Sequence, residues 1–113
     1  MAKQGLQVAP AELEAHLLAH PDVADCAVIP VPDDSAGELP KAYVVKGPSA
    51  RGDDAAIIRS IQKHVEDHKA RHKWLKGGVE FIDAIPKSPS GKILRRMLRD
   101  REKESRQKTK ARL

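Results

Sequence analysis

The segment Pro86-Lys87-Ser88-Pro89-Ser90-Gly91-Lys92, followed by Ile93-Leu94-Arg95-Arg96, gathers cations where a helix is about to open. Free backbone N–H groups give a helix N-terminus partial positive charge, so a cation in the first turn is disfavoured by a few tenths to about 1 kcal/mol. Lys92, Arg95 and Arg96, with no acid among them, make chemical sense there if an anion such as a phosphate sits between the dipole and the ammonium. A surface loop with long side chains reaching into water accounts for the same residues. A Walker loop is excluded: G-x-x-x-x-G-K-[ST] needs glycine where Pro86 stands and a hydroxyl where Ile93 stands.

His64, His68 and His72 recur at intervals of four, which would set imidazoles along one helix face. The H-E-x-x-H zinc pattern needs Glu after the first His, and Val65 occupies that place. With no cluster of Cys, Asp or Glu to complete a ligand set, solvated helix histidines and no metal site are expected. Cys26 lies in the apolar run Val23 to Ile29, far from cations that would activate it, and is expected to be a buried thiol in a reducing compartment.

These groups must be carried by a small scaffold. A chain of 113 residues makes one domain. Its hydrophobic share of 40% and charged share of 33% are globular, and with only Tyr43, Trp74 and Phe81 as aromatics the core must be aliphatic. The net charge of +5 is local: residues 95–113 hold nine of the 21 Lys and Arg against three of the 16 acids, leaving twelve against thirteen elsewhere. A basic tail on a near-neutral body, with few stacking rings, argues against nucleic-acid binding. No apolar run reaches the roughly 20 residues of a membrane helix, and no secretory signal is evident.

Met1 to Val8 alternates weakly and predicts a short strand. Pro10 opens a helix with Glu12 and Glu14 in its first turns and Leu13, Leu17 and Leu18 on one face, stopped by Pro21. Val23 to Val31, bounded by Pro30 and Pro32, reads as a buried strand; Asp33 to Pro40 as a turn; Lys41 to Lys46 as a second strand. Asp53 or Asp54 caps a helix running to about His72 with Ile57, Ile61 and Val65 as its stripe, ended by Gly77-Gly78. Val79 to Ile85 predicts a third strand, and Ile93, Leu94, Met97 and Leu98 a last amphipathic helix that frays into the tail. The fold class is α+β: a small mixed or antiparallel three-stranded sheet flanked by helices, with a short extra N-terminal strand.

Three separated stretches occur together: Gly5-Leu6-Gln7-Val8-Ala9-Pro10-Ala11-Glu12-Leu13-Glu14, Ala36-Gly37-Glu38-Leu39-Pro40-Lys41-Ala42-Tyr43-Val44-Val45, and Ile85 through Arg96. In order and spacing they resemble the C-terminal domain of adenylate-forming acyl-CoA synthetases, nearest the 4-coumarate:CoA ligase and luciferase branch, over nearly residues 1–98. The resemblance implies a mobile C-terminal domain over 1–101 followed by a basic, disordered tail over 102–113. It implies two half-reactions: a carboxylic acid and ATP give acyl-AMP and pyrophosphate, then CoA displaces AMP.

By this resemblance Lys92 is the catalytic lysine and contacts nucleotide, Gln7 approaches the adenylate, and Gly5 and Gln4 lie beside the CoA path. ATP with Mg2+ and CoA are substrates of the longer enzyme, none is expected on this chain alone, and the partner is a large N-terminal adenylation domain of the same polypeptide, without which the chain is expected to be inactive. The family commonly carries lysines where Ala2 and Gln4 stand, with Lys3 between them here, and its hinge residue lies upstream of this segment. Two other classes fit parts of the pattern: a nonenzymatic module binding an anion or phosphorylated partner, and the lid of a carrier-loading adenylation domain. Ala111-Arg112-Leu113 resembles a variant of the S-K-L peroxisomal address, implying an import receptor as partner and a peroxisomal location, or otherwise a cytoplasmic one.

Overall fold

A computed structural model of the chain describes residues 10–33, 37–69 and 74–111. Its elements run α1 (Pro10–Leu18), β1 (Val23–Asp33), β2 (Gly37–Lys46), α2 (Asp54–Glu66), β3 (Gly78–Phe81) and α3 (Arg95–Ala111). The sheet order is β1-β2-β3, antiparallel between the first two strands and parallel between the last two, with α2 as the crossover that a parallel pair requires. The mixed α+β expectation holds; the expected N-terminal strand lies outside the described residues. Among the described residues no helix is long and apolar enough to cross a membrane.

The near-continuous apolar run of β1 is explained by burial on both faces. Cys26 and Val28, with Ala42 and Val44 of β2, turn to one side and pack on Leu13 and Leu17 of α1 and Ile57, Ile61 and Val65 of α2. Ala27, Ile29, Val31 and Tyr43 turn to the other side, against Ile85 and Leu98 of α3. The period-2 alternation of a strand thus feeds two aliphatic cores, one on each face of the sheet.

Several boundaries differ from the sequence expectation. β1 continues through Pro30 and Pro32 to Asp33, and β2 begins at Gly37 rather than after a turn reaching Pro40. Pro30 sits directly opposite Pro40, a position in the antiparallel ladder where neither residue needs an N–H. α2 starts as expected, with the Asp53 carboxylate accepting from Ala56 N–H at 2.8 Å, but ends at Glu66, well before His72.

Gly77 and Gly78 therefore do not stop α2; they launch β3. A Cβ on Gly77 would stand 2.7 Å from Val31 Cγ2 and 2.8 Å from the Pro40 carbonyl oxygen, which accepts the Gly77 N–H at 2.9 Å. β3 itself is only four residues, so Ile85 is buried outside any strand. Leu18 and Met97, expected on buried faces, are 50% and 56% exposed.

On α3 the inward row is instead Arg95, Leu98 and Glu102. The Glu102 carboxylate is buried and accepts from Tyr43 O–H at 2.9 Å and from the Lys41 ammonium, which also bridges to Glu80 at 2.9 Å. The segment expected as a disordered tail from residue 102 is thus continuous helix to Ala111, and its first residue belongs to the packed interior. Burial, reinforced by this hydrogen bond to Glu102, pushes the Tyr43 hydroxyl pKa well up.

Glu14 is the other buried acid among the described residues. Its carboxylate accepts the Val28 N–H at 2.8 Å and pairs with the Arg95 guanidinium, while Arg95 Nε donates to the Val28 carbonyl at 3.3 Å. The Val28 N–H and C=O point to the open edge of the sheet, away from β2, so the pair satisfies both backbone groups and covers the edge. One carboxylate thereby joins α1, β1 and α3. Cys26 is buried as expected, its thiol 3.5 Å from the Glu14 carbonyl; burial, with Glu14 and Asp25 nearby, raises its pKa to about 12 and leaves it inert. Glu14→Ala strands the Arg95 guanidinium and the Val28 N–H and is expected to destabilise the chain by about 3 kcal/mol in urea unfolding; a change below about 1 kcal/mol would contradict this role.

Candidate functional site

The Pro86–Lys92 segment is a closed, self-bonded hairpin. Lys87 and Ile93 form an antiparallel bridge, and Ser88 N–H donates to the Lys92 carbonyl at 2.9 Å. The Ser88 hydroxyl accepts the Lys92 N–H at 3.2 Å and meets the Ser90 hydroxyl at 2.9 Å. Gly91 makes the turn at φ 88°, a conformation that L residues rarely adopt, and its N–H donates to the Ser88 carbonyl at 2.8 Å. The loop therefore spends its serine hydroxyls and the Gly91 N–H on its own groups.

Both ends of this hairpin are anchored. Lys87 pairs with Asp25 of β1 at 2.7 Å, Leu94 N–H donates to the Pro86 carbonyl at 2.9 Å, and Arg95 is held on the β1 edge by Glu14. Lys92 is exposed on the return arm of the hairpin, just after the turn, and among the described residues its ammonium has no ion-pair partner. A fixed backbone with a free cationic end is an arrangement that can place charge in a cleft supplied by another body.

This geometry revises the anion-site expectation. α3 begins at Arg95, so Lys92 precedes the helix and is not in its first turn. Arg95 is consumed by Glu14 and the Val28 carbonyl, leaving Lys92 and Arg96 as the exposed cations of the three. Gln4, Gly5, Gln7 and the last two residues of Ala111-Arg112-Leu113 lie outside the described residues.

The histidines are not simply solvated. His72 is outside the described residues, while His64 of α2 and His68, just past its end, meet His16 of α1. His16 and His64 stack with centroids 4.1 Å apart and planes 9° from parallel. His20 is buried beside them: Asp22 N–H donates to its Nδ1 at 3.0 Å, so the proton is on Nε2, which donates to the Ser60 hydroxyl at 2.9 Å. Burial lowers the His20 pKa, partly opposed by Asp22 and assisted by His64.

Glu14, Arg95, Glu102, His16 and His20 were not picked out as a working set by residue type or spacing. Glu14 did carry a signal, because it falls on the same helical stripe as Leu13 and Leu17, where a carboxylate needs a cationic partner. His16 and His20 repeat in sequence the four-residue interval of His64 and His68.

Residues 12–92 match the family described as AMP-binding enzyme C-terminal domain. The chain is 55% identical over 98 residues to an acyl-CoA ligase, lcsD, of Purpureocillium lilacinum, covering 87% of this chain and 25% of that protein. It is 50% identical over 98 residues to 4-coumarate–CoA ligase-like 1 of Arabidopsis thaliana, covering 87% and 17%. Among solved structures, an acyl-CoA synthetase of Brucella canis superposes with a TM-score of 0.79 at 34% identity, over 88% of this chain and 18% of that one. The anthranilate CoA ligase AuaEII, in complex with anthranoyl-AMP, superposes with a TM-score of 0.72 at 39% identity, over 82% and 18%. The chain thus spans a quarter or less of the length of these relatives.

The His20 arrangement has a direct consequence for pH. A native pKa below the unfolded value of about 6.5 means that the unfolded chain binds the extra proton first, so stability is full above about pH 6.5 and falls as the pH drops toward the native pKa. Unfolding midpoints measured from pH 7.5 to 5.5 are expected to fall, and to fall less in His20→Gln; a midpoint that holds or rises on acidification would contradict the assignment.

Proposed function

This chain belongs to the AMP-binding enzyme C-terminal domain family, and on that premise we propose that it is the small domain of an ATP-dependent acid:CoA ligase, with Lys92 as its catalytic residue in adenylation. The substrates of the whole polypeptide are a carboxylic acid, ATP with its Mg2+, and CoA; the partner is a large N-terminal domain holding the nucleotide and acyl pockets. In the first half-reaction a carboxylate oxygen attacks the α-phosphorus, the bond to the β-phosphate oxygen breaks, and pyrophosphate leaves. Negative charge builds on the α-phosphate oxygens, and the Lys92 ammonium offsets it. In the second the CoA thiolate attacks the acyl carbonyl and AMP departs.

The observation that carries this reading is the exposed Lys92 ammonium, unpaired among the described residues, on an anchored hairpin. The hairpin is satisfied internally and tied to β1 through Lys87–Asp25, so its backbone has little freedom left to lose when the tip enters a cleft. Gln7 beside the adenylate, and Gly5 with Gln4 beside the CoA path, belong to the same proposal and act from the segment preceding α1. Rotation of the small domain between the half-reactions would withdraw Lys92 and present that segment instead.

Lys92→Ala in the whole polypeptide is expected to slow acid-dependent pyrophosphate release by about 100-fold or more, while thioester formation from supplied acyl-AMP persists. Equal loss of the two half-reactions would sink the assignment. Ala111-Arg112-Leu113 is read in the same proposal as a peroxisomal address. Residues 102–113 appended to a fluorescent reporter should collect in peroxisomes, and a diffuse cytosolic signal would remove that part of the reading.

A further inference from the structure

We propose that His16, His64 and His68 form a three-imidazole site for a divalent transition-metal ion of the zinc, copper or nickel type, bridging α1 and α2. One ring nitrogen from each of the three lies within 4.8 Å of one from each of the others. The rings come from two neighbouring segments: His64 is in the last turn of α2 and His68 lies two residues past its end, while His16 of α1 stacks on His64 with its ring centroid 5.2 Å from that of His68.

The hydrogen bonds set the tautomers. His16 Nε2 faces the His64 carbonyl at 2.8 Å, His64 Nε2 faces the His16 carbonyl at 2.9 Å, and His68 Nδ1 faces the His64 carbonyl at 3.1 Å. A carbonyl only accepts, so each of these nitrogens carries the proton. The neutral imidazoles are left with lone pairs on His16 Nδ1, His64 Nδ1 and His68 Nε2. An N–H tied to a backbone carbonyl, with the other nitrogen free, is the usual arrangement of a metal-binding histidine.

The donor set selects the ion. Three neutral imidazoles, with no carboxylate or thiolate among them, suit borderline divalent ions and disfavour calcium and magnesium, which prefer oxygen. A tetrahedral ion with metal–nitrogen bonds of about 2.0–2.1 Å draws its ligand nitrogens closer than they stand here. His68 is exposed and can swing inward, and the stacked rings of His16 and His64, whose in-plane lone pairs lie in nearly parallel planes, must tilt apart for both to meet one ion, leaving the fourth position to water. Lys69, the residue after His68, is paired with Glu12 of α1 at 3.5 Å.

The test is titration of the chain with Zn2+, and with Co2+ as an optical probe, at pH 7.5, with the histidine ring nitrogens followed by NMR. One ion per chain is expected, with tetrahedral Co2+ absorption and shifts on His16, His64 and His68 together. Since a missing outer partner alone typically weakens metal binding 10–100-fold, loss of a ligand in His68→Gln or His16→Gln should weaken it by at least roughly tenfold. His68 is exposed, so its variant keeps the fold and the comparison clean. Absence of saturable binding, unchanged affinity in His68→Gln, or shifts confined to His64 and His68 would each overturn the three-ligand site.

Discussion

Everything at the Lys92 end of the molecule hangs on one carboxylate. Glu14 occupies the apolar stripe of α1, where an unpaired charge would be costly, and it is held there by the Val28 N–H and the Arg95 guanidinium. Arg95 in turn takes the Val28 carbonyl, so the open edge of β1 is closed by one acid and one base from two different helices. Because Arg95 is the first residue of α3 and stands three positions after Lys92, the same contact fixes where the hairpin begins its return. Helix docking, edge protection and placement of the exposed Lys92 ammonium are therefore one problem with one solution.

The second anchor of α3 has the same logic further along the helix. Glu102 lies two turns beyond Arg95 and joins the Tyr43 hydroxyl and the Lys41 ammonium on β2. Between these two polar anchors only Leu98 inserts fully into the core. A helix docked by two buried ion pairs and one leucine is directed more by geometry than by hydrophobic area, because charged pairs tolerate misplacement poorly. That suits an element whose task is to carry a loop at a set height above the sheet.

The parts of this fold visible in the sequence are those governed by local periodicity. Ile57, Ile61 and Val65 gave α2 its buried stripe, Asp53 its start, and the unbroken Val23 to Val31 run a strand covered on both sides. What periodicity could not supply were pairings between distant residues. Pro30 and Pro32 look like strand ends until Pro40 is known to lie opposite, and Gly77 looks like a helix stop until it is seen pressed against Val31 and Pro40. Arg95 looked like part of an anion site because its partner, Glu14, is 81 residues away. The dipole reading of Lys92, Arg95 and Arg96 does not survive, because α3 begins at Arg95 and Lys92 stands before it on an anchored hairpin.

The central claim is that the Glu14–Arg95–Val28 contact holds the hairpin so that Lys92 can reach an α-phosphate in a neighbouring domain. The most direct measurement is a structure of the whole polypeptide with a bound acyl-adenylate analogue, captured in its adenylate-forming arrangement. The account predicts Lys92 Nζ within hydrogen-bonding reach, about 3 Å, of a phosphate oxygen, with the three-way contact at Val28 intact. A phosphate neutralised by other groups, with Lys92 in solvent, or a productive complex in which the Glu14–Arg95 pair has come apart, would contradict it.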